Sequence, residues 1–496
     1  MGLKGKLSKW YASRQIGMQK QSISNPLSCQ LYWRSYLLHK GSRTAYGIQH
    51  QLDRVKDYES WKERIPVKDY EGLQPFIARI LEGEPNVLWP NRPSYMAKTS
   101  GTTSGAKYIP ISKKTMPFHI KSAKMALLSY IHETGKTDFV DGKMIFLQGS
   151  PETLKKNGIR IGRLSGITAH HVPAYLQSNR LPSMQVNRIE DWEKKVDAIV
   201  EETIGQDLRL ISGIPSWVQM YFEKLLDATG KSTVLEVFPN FSLFVHGGVN
   251  FAPYSERFRS LIGGQVPSIE LYPASEGFIA YQDSQDQEGL LLEVDSGMFF
   301  EFIPVDEVGS DGPTRIWLED VELGVNYVLI INSAAGLWGY NIGDTVRFVS
   351  KSPYRLVVTG RVKHFTSAFG EHVIADEVER AASMISKEMG LVIREFHVAP
   401  QVSPESGLPY HEWFIEMDDH EKLEEVAERL DEAMVEQNPY CRDLIEGKVL
   451  RPLRITQVPS GAFERMMHAR GKLGGQNKIP RLANDRSIAE LLEYKV

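Results

Sequence analysis

Residues 99–107 read Thr-Ser-Gly-Thr-Thr-Ser-Gly-Ala-Lys, which packs five hydroxyls, two glycines and one lysine into nine positions. Glycine lets a backbone curl so that successive N–H groups point inward as an anion-binding nest. The hydroxyls add donors, and Lys107 adds a positive charge on a flexible stem. A turn of this kind can hold the phosphates of a nucleotide, with Ser100, Gly101, Thr102 and Thr103 at its centre. The same residues also suit a solvated turn between two strands. A Walker loop is disfavoured: three residues separate Gly101 from Gly105, Ala106 precedes Lys107, and Tyr108 follows it.

Other groups could do related chemistry. In Tyr272-Pro273-Ala274-Ser275-Glu276-Gly277 an aromatic ring could lie against a purine, and Glu276 could hold a magnesium ion that also binds phosphate oxygens. The alternative is a helix start with Ser275 as its cap. In Tyr340-Asn341-Ile342-Gly343-Asp344 the carboxylate could accept from both ribose hydroxyls, although Gly-Asp is also an everyday turn. Arg361, after Gly360, carries a planar guanidinium suited to phosphate or ribose; a plain surface arginine is the alternative. His170 and His171 invite a metal, but adjacent imidazoles point apart and have no partner at ligand spacing, so a structural or pocket-lining role is preferred.

The elements that must position these groups follow from periodicity. Residues 1–60 read as helical and 115–133 as a helix packed behind the hydroxyl-rich turn. From 143 to 272 apolar strands (143–147, 208–211, 242–245, 268–272) alternate with helices (191–204, 217–228, 254–262), the pattern of a parallel sheet covered by helices. Ligands of such sheets sit beyond the carboxyl ends of the strands. His246-Gly247-Gly248 and the 273–277 turn lie at such ends, which makes Gly248 and Glu276 pocket candidates. Past Gly277, short strands with tight turns suggest an antiparallel or β-barrel-like region over about 285–360. Gly360-Arg361-Val362 is the expected domain boundary. Beyond it lies a small α+β pattern with helices at 374–389 and 420–437, and strands at 391–398 and 412–417. Residues 465–480 are basic and glycine-rich, and read as a movable or surface loop.

Composition frames this. A chain of 496 residues calls for two to four domains, and 42% hydrophobic with 24% charged residues is ordinary for a globular protein. A formal charge of -4 gives no sign of a nucleic-acid surface. Cys29 and Cys441 allow at most one disulfide, so a reducing, cytoplasmic setting is the simpler expectation. No apolar run reaches the roughly 20 residues that span a bilayer. The N-terminus lacks the apolar core of a secretory signal and the Ser or Thr that follows a myristoylated glycine.

Taken in order, these motifs resemble one family. From about Ile65 to the C-terminus the chain resembles the adenylate-forming enzymes, and more closely a bacterial-type member of the Gretchen-Hagen auxin-responsive acyl-acid amido synthetases. The resemblance rests on TSGTTSGAKYIPIS, YPASEG, YNIGDTVRF, TGRVKHFTSAFGEHVIADEVE and QNKIPR. It implies an α/β fold with a large adenylation domain, 1–361, and a smaller mobile α+β domain, 362–496. It implies that a carboxylic acid attacks the α-phosphate of ATP, in the presence of Mg²⁺, to give an acyl-adenylate and pyrophosphate. The small domain then rotates and an amine, expected to be an amino acid, displaces AMP. Carried over residue by residue, Ser100, Gly101, Thr102 and Thr103 would hold the β- and γ-phosphates. Tyr272, Pro273, Ala274 and Ser275 would border the adenine, and Glu276 would be the magnesium ligand. Asp344 would take the ribose, Arg361 the ribose or α-phosphate, and Lys478 the α-phosphate in the first half-reaction. The chain departs from the family in carrying Lys107-Tyr108 where two basic residues are usual, and Ala274-Ser275 where Gly or a second Ser is usual. Those departures loosen any transfer of substrate identity. Thioester formation on coenzyme A, or a nucleotide-binding regulator without catalysis, are the alternatives. No nucleic-acid partner and no membrane span are expected, and oligomeric state stays open with a monomer as the starting assumption.

Overall fold

The alternating segments between 143 and 273 form a parallel sheet. The strands Arg180–Leu181, Lys143–Phe146, Leu208–Gly213, Leu243–Gly247 and Ser268–Pro273 lie side by side in that order, each parallel to the next. This is a computed structural model, and it describes residues 3–99, 107–172, 179–189, 192–248, 251, 254–310, 312–361, 365–366, 373–401, 404, 406–418, 422–446, 450–470, 479–483 and 485–493. The helix Pro215–Thr229 shows how sequence sets one layer of this arrangement. Proline at its start has φ already fixed for a helix, and Gly230 at φ +64 closes it. Val218, Tyr221, Phe222 and Leu225 recur at helical spacing and are wholly buried.

The sheet does not stop at Pro273. The strand Phe278–Tyr281 folds back antiparallel on Ser268–Pro273. The series then continues through Leu290–Leu292, Tyr354–Arg361, Tyr340–Lys351, Asn326–Ser333, Met298–Pro304 and Ile316–Trp317, so that twelve strands share one sheet. The barrel-like region expected over about 285–360 is this antiparallel half, bonded onto the parallel half rather than standing as a sheet of its own.

A second, four-stranded sheet carries the hairpin Tyr95–Thr99 and Lys107–Ile111, with Ile159–Gly162 parallel to its first strand. The helix Met116–Thr134 packs on the large sheet: its Met125, Ala126 and Leu128 share a core with Leu210, Leu243, Ile269 and Phe278 of that sheet and with Ala12 of the N-terminal helix Leu3–Ser24. Pro26 begins the next helix, Pro26–Gly41, rather than interrupting one. Asp57 opens Tyr58–Arg64 with a capping box to Ser60. That helix buries Trp61, and burial of such an apolar ring contributes roughly 1.5–3 kcal/mol.

Two compact units divide the chain: Met1–Gly248 with Ile262–Val357, and Val249–Leu261 with Val358–Val496. The second contains the three-stranded sheet Ile393–Gln401, Tyr410–Met417 and Arg454–Gln457, its first pair antiparallel and its second parallel. The helix Ala375–Met389 lays Val378, Ala381, Ala382 and Ile385 on that sheet's core and ends at Gly390, φ +64. The segment Val249–Leu261 belongs to this unit. Within it Tyr254 Oη donates to Glu395 Oε2 at 3.4 Å and accepts from Arg481 Nη2 at 3.0 Å. Arg481 is also ion-paired to Glu395.

Candidate active site

The tip of the Ser268–Pro273 and Phe278–Tyr281 hairpin is the Pro273-Ala274-Ser275-Glu276-Gly277 stretch. Ala274 and Gly277 close it through reciprocal main-chain hydrogen bonds, 2.9 Å and 3.2 Å. A strand follows, not a helix, so the reading of Ser275 as a helix cap is set aside by the reversal of chain direction. Gly277 lets the Met298 side chain pack close, since a Cβ there would sit 2.4 Å from its sulfur and Met298 would have to shift. Glu276 is half-buried at the tip, at the carboxyl end of the last parallel strand.

Tyr272 is the last buried ring of that strand, 7% exposed. Its hydroxyl donates to Asp344 Oδ2 at 2.6 Å, a short, charge-assisted bond across 72 residues of sequence. Asp344 lies within the long strand Tyr340–Lys351 and not in a turn. Pairing with Asn326–Ser333 slips there: Val328 faces Thr345 while Ile330 faces Asn341, so the strand carries extra residues opposite Leu329. This β-bulge, with Gly343 at φ +85 and its N–H held by Asn341 Oδ1 at 2.8 Å, re-aims the Asp344 carboxylate. The approach segment fixes the same strand from outside. Lys68 N–H donates to Gly339 O at 2.9 Å, and Asn341 N–H donates to Lys68 O at 2.8 Å.

Gly248 follows the strand Leu243–Gly247 at φ +86, a backbone state that glycine adopts without penalty. The neighbouring Gly247 allows close strand approach, since a Cβ would stand 2.3 Å from Leu271 O. His246, just before it, is buried and its imidazole is pushed down to about 3 by desolvation, so it is neutral at working pH.

Thr99 stands opposite Lys107 in the hairpin register. Ser100, Gly101, Thr102 and Thr103 themselves lie outside the described residues, as does Lys478. Lys107 Nζ rests over the Tyr70 ring, 5.4 Å from its centre, and Tyr70 Oη accepts from Tyr108 N–H at 3.0 Å. Arg361 ends the strand Tyr354–Arg361; its side chain is outside the description. His170 and His171 turn to different partners, Pro151 O at 2.9 Å and Tyr95 Oη at 3.0 Å. Among the described residues no group of three or more His, Cys, Asp or Glu could hold a metal ion. A divalent cation at Glu276 could complete its shell with waters and phosphate oxygens, as Mg²⁺ commonly does.

Sequence reasoning missed the support of this site. Glu301, wholly buried, accepts from Tyr58 Oη at 3.0 Å, Trp61 Nε1 at 3.2 Å and Asn332 Nδ2 at 2.7 Å, and is ion-paired to Arg315. Asn332 Oδ1 in turn accepts from Gly339 N–H at 2.6 Å, at the root of the Asp344 strand. The one signal was a glutamate inside the apolar run Met298–Pro304.

The fold is that of adenylate-forming enzymes: the chain superposes on an acyl acid amido synthetase structure with a TM-score of 0.80, at 16% identity, covering 96% of this chain and 95% of that one. A 2-hydroxyisobutyryl-CoA ligase structure follows at TM-score 0.60 and 12% identity, covering 96% and 92%. The GH3 family N-terminal domain profile matches residues 15–190, the central domain profile 291–361 and the C-terminal domain profile 375–487. The chain belongs to the GH3 family. A probable indole-3-acetic acid-amido synthetase of Arabidopsis thaliana is 23% identical to it over 540 residues, spanning 93% of this chain and 90% of its own.

Proposed function

We propose that this protein is an ATP-dependent ligase that activates a carboxylic acid as its acyl-adenylate and passes the acyl group to the amine of an amino acid, forming an amide. The reading rests above all on the Tyr272–Asp344 hydrogen bond, which joins the YPASEG hairpin tip to the bulged IGD segment. These are two of the motifs that the family resemblance places around one nucleotide. In this reading Asp344 accepts from the ribose hydroxyls, with Tyr272 holding one of its oxygens so that the other faces the sugar. Pro273, Ala274 and Ser275 border the adenine, and Gly248 lets main chain approach it. Ser100, Gly101, Thr102 and Thr103 hold the β- and γ-phosphates, and Arg361 and Lys478 neutralise charge at the α-phosphate. Glu276 is the one carboxylate assigned to Mg²⁺, whose charge would offset that of the phosphates. No covalent enzyme intermediate is needed: positioning and charge neutralisation lower the barrier. The domain division at about 361, with the smaller part turning between half-reactions, belongs to the same proposal.

Acid-dependent exchange of pyrophosphate into ATP, screened over aryl and fatty acids, tests it. Exchange should appear with at least one acid and fall by about two orders of magnitude or more in Glu276→Gln. No exchange with any acid would leave a nucleotide-binding protein without catalysis. Offering amino acids and coenzyme A to a trapped adenylate separates amide from thioester formation, and acyl transfer to coenzyme A alone would refute the amide.

A further inference from the structure

The N-terminal helix Leu3–Ser24 has two apolar faces, and only one is used by the fold. Ala12, Ile16, Gln19 and Ile23 recur at spacings of 4, 3 and 4 and face inward: Ala12, Ile16 and Ile23 join the core around Met125, and Gln19 Nε2 donates to the buried Tyr281 Oη at 2.8 Å. On the opposite side Leu7, Trp10, Arg14 and Met18, at spacings of 3, 4 and 4, form a single stripe. Its apolar members are left in water: Leu7 is 57% exposed, Trp10 61% and Met18 57%. Arg14 lies over the Trp10 ring, 5.7 Å from its centre. Lys4 and Lys6 flank the stripe, each roughly 80° round the helix.

Charge decides what this face fits. The first 52 residues hold eight Lys and Arg and no Asp or Glu, in a chain whose net charge is -4. Among the described residues none is ion-paired to Lys4, Lys6, Arg14 or Lys20. A second copy of the chain is disfavoured, because a two-fold contact would set these cations against themselves. A nucleic-acid backbone would match the charge and leave Leu7, Trp10 and Met18 in water. An anionic bilayer surface matches both. Its phosphates sit at the depth of the lysine and arginine heads, and the boundary with the acyl chains is where Trp rings are enriched. No helix among the described residues is long and apolar enough to cross a membrane, so the contact is peripheral.

We propose that the outer face of Leu3–Ser24 docks this protein on membranes rich in anionic lipid, with Trp10 and Met18 entering the interface and Lys4, Lys6 and Arg14 meeting headgroup phosphates. The inner face stays on the core throughout, so docking needs no unfolding of the helix.

Flotation of the full chain with vesicles tests this, using phosphatidylcholine alone and phosphatidylcholine mixed with phosphatidylglycerol. The protein should float with the mixed vesicles and not with the neutral ones, and rising salt should weaken the association. Trp10→Ser with Met18→Ser, and separately Lys6→Glu with Arg14→Glu, should each reduce binding by about ten-fold or more. All four positions are on the outside of a helix anchored by its other face, so both double variants should melt as the parent does. Failure to bind mixed vesicles, or undiminished binding by both variants, overturns the proposal. Self-association that Trp10→Ser with Met18→Ser abolishes, without lipid binding, would assign the face to a second copy and overturn it equally.

Discussion

Tyr272 and Asp344 show what the individual residue contributes. Their motifs mark both as candidates, and the structure adds that the Tyr272 phenol is committed to the Asp344 carboxylate. Tyr272→Phe keeps the packing of a ring that is 7% exposed and deletes only the hydroxyl. Loss of one such bond should cost about 1 kcal/mol of stability or less, since water can reach the half-buried Asp344. The functional cost should be larger in relative terms: with one oxygen released, Asp344 is free to turn, and KM for ATP should rise about three- to ten-fold with kcat less changed. Steady-state kinetics in ATP checks it, and an unaltered KM would remove this pair from the nucleotide site.

At the scale of the element, the strand Tyr340–Lys351 is placed by groups that no local pattern reveals. The sequence predicts only short strands with tight turns here, and the glycine before Asp344 reads as a turn, because Gly-Asp in isolation favours one. Pairing on the partner strand overrides that preference and converts the glycine into a bulge. The parallel strands were legible because apolar runs bounded by turn residues leave little choice, and the helices because their buried faces repeat at 3.6. Glu301 was not: its partners Tyr58, Trp61, Arg315 and Asn332 come from three separate stretches, and only the fold brings them together. Glu301→Gln retains an acceptor but leaves the Arg315 guanidinium buried without its counter-charge. Breaking a buried pair on one side costs about 3–5 kcal/mol, and urea denaturation should show a loss of about 3 kcal/mol. Because Asn332 also holds Gly339, part of the damage should appear as weaker ATP binding at temperatures where the variant is still folded. Full stability in Glu301→Gln would mean that the cluster is ornamental to the sheet.

For the whole molecule, what could be read in advance was the order of elements and the family, while the path between the two units could not. The helix Ser255–Ile262 has the same period whichever unit it packs in, so nothing in its sequence announces that Val249–Leu261 belongs with the C-terminal part. Its membership is decided by Tyr254 meeting Glu395 and Arg481, residues more than 140 positions away. Charge burial was equally hidden, and it governs how the larger unit responds to pH. Glu293 is 2% exposed, faces Ser122 at 3.3 Å, and is pushed up to about 7 by desolvation, with Lys121 opposing and Asp295 reinforcing the rise. Its ordinary value is 4.5, so the folded protein keeps a proton here that the unfolded chain releases between pH 4.5 and about 7. Folded Glu293 therefore binds more protons than unfolded, and stability falls as pH rises through that window. Above pH 7 the penalty is complete, amounting to up to about 3 kcal/mol for a shift of this size. His119 works in the opposite sense: burial lowers it from 6.5 to about 4, so its stability contribution is present above pH 6.5 and is lost as the pH falls toward 4. Glu293→Gln removes the first effect and leaves the second. The variant should melt above the parent at pH 8 by several degrees, converge with it as the pH falls from 7 to 4.5, and share its acid limb below pH 4.5. Thermal melts of both proteins across that range decide the matter: a variant less stable than the parent at pH 8 would mean that the carboxylate is held as an anion by Lys121 and that its burial is compensated.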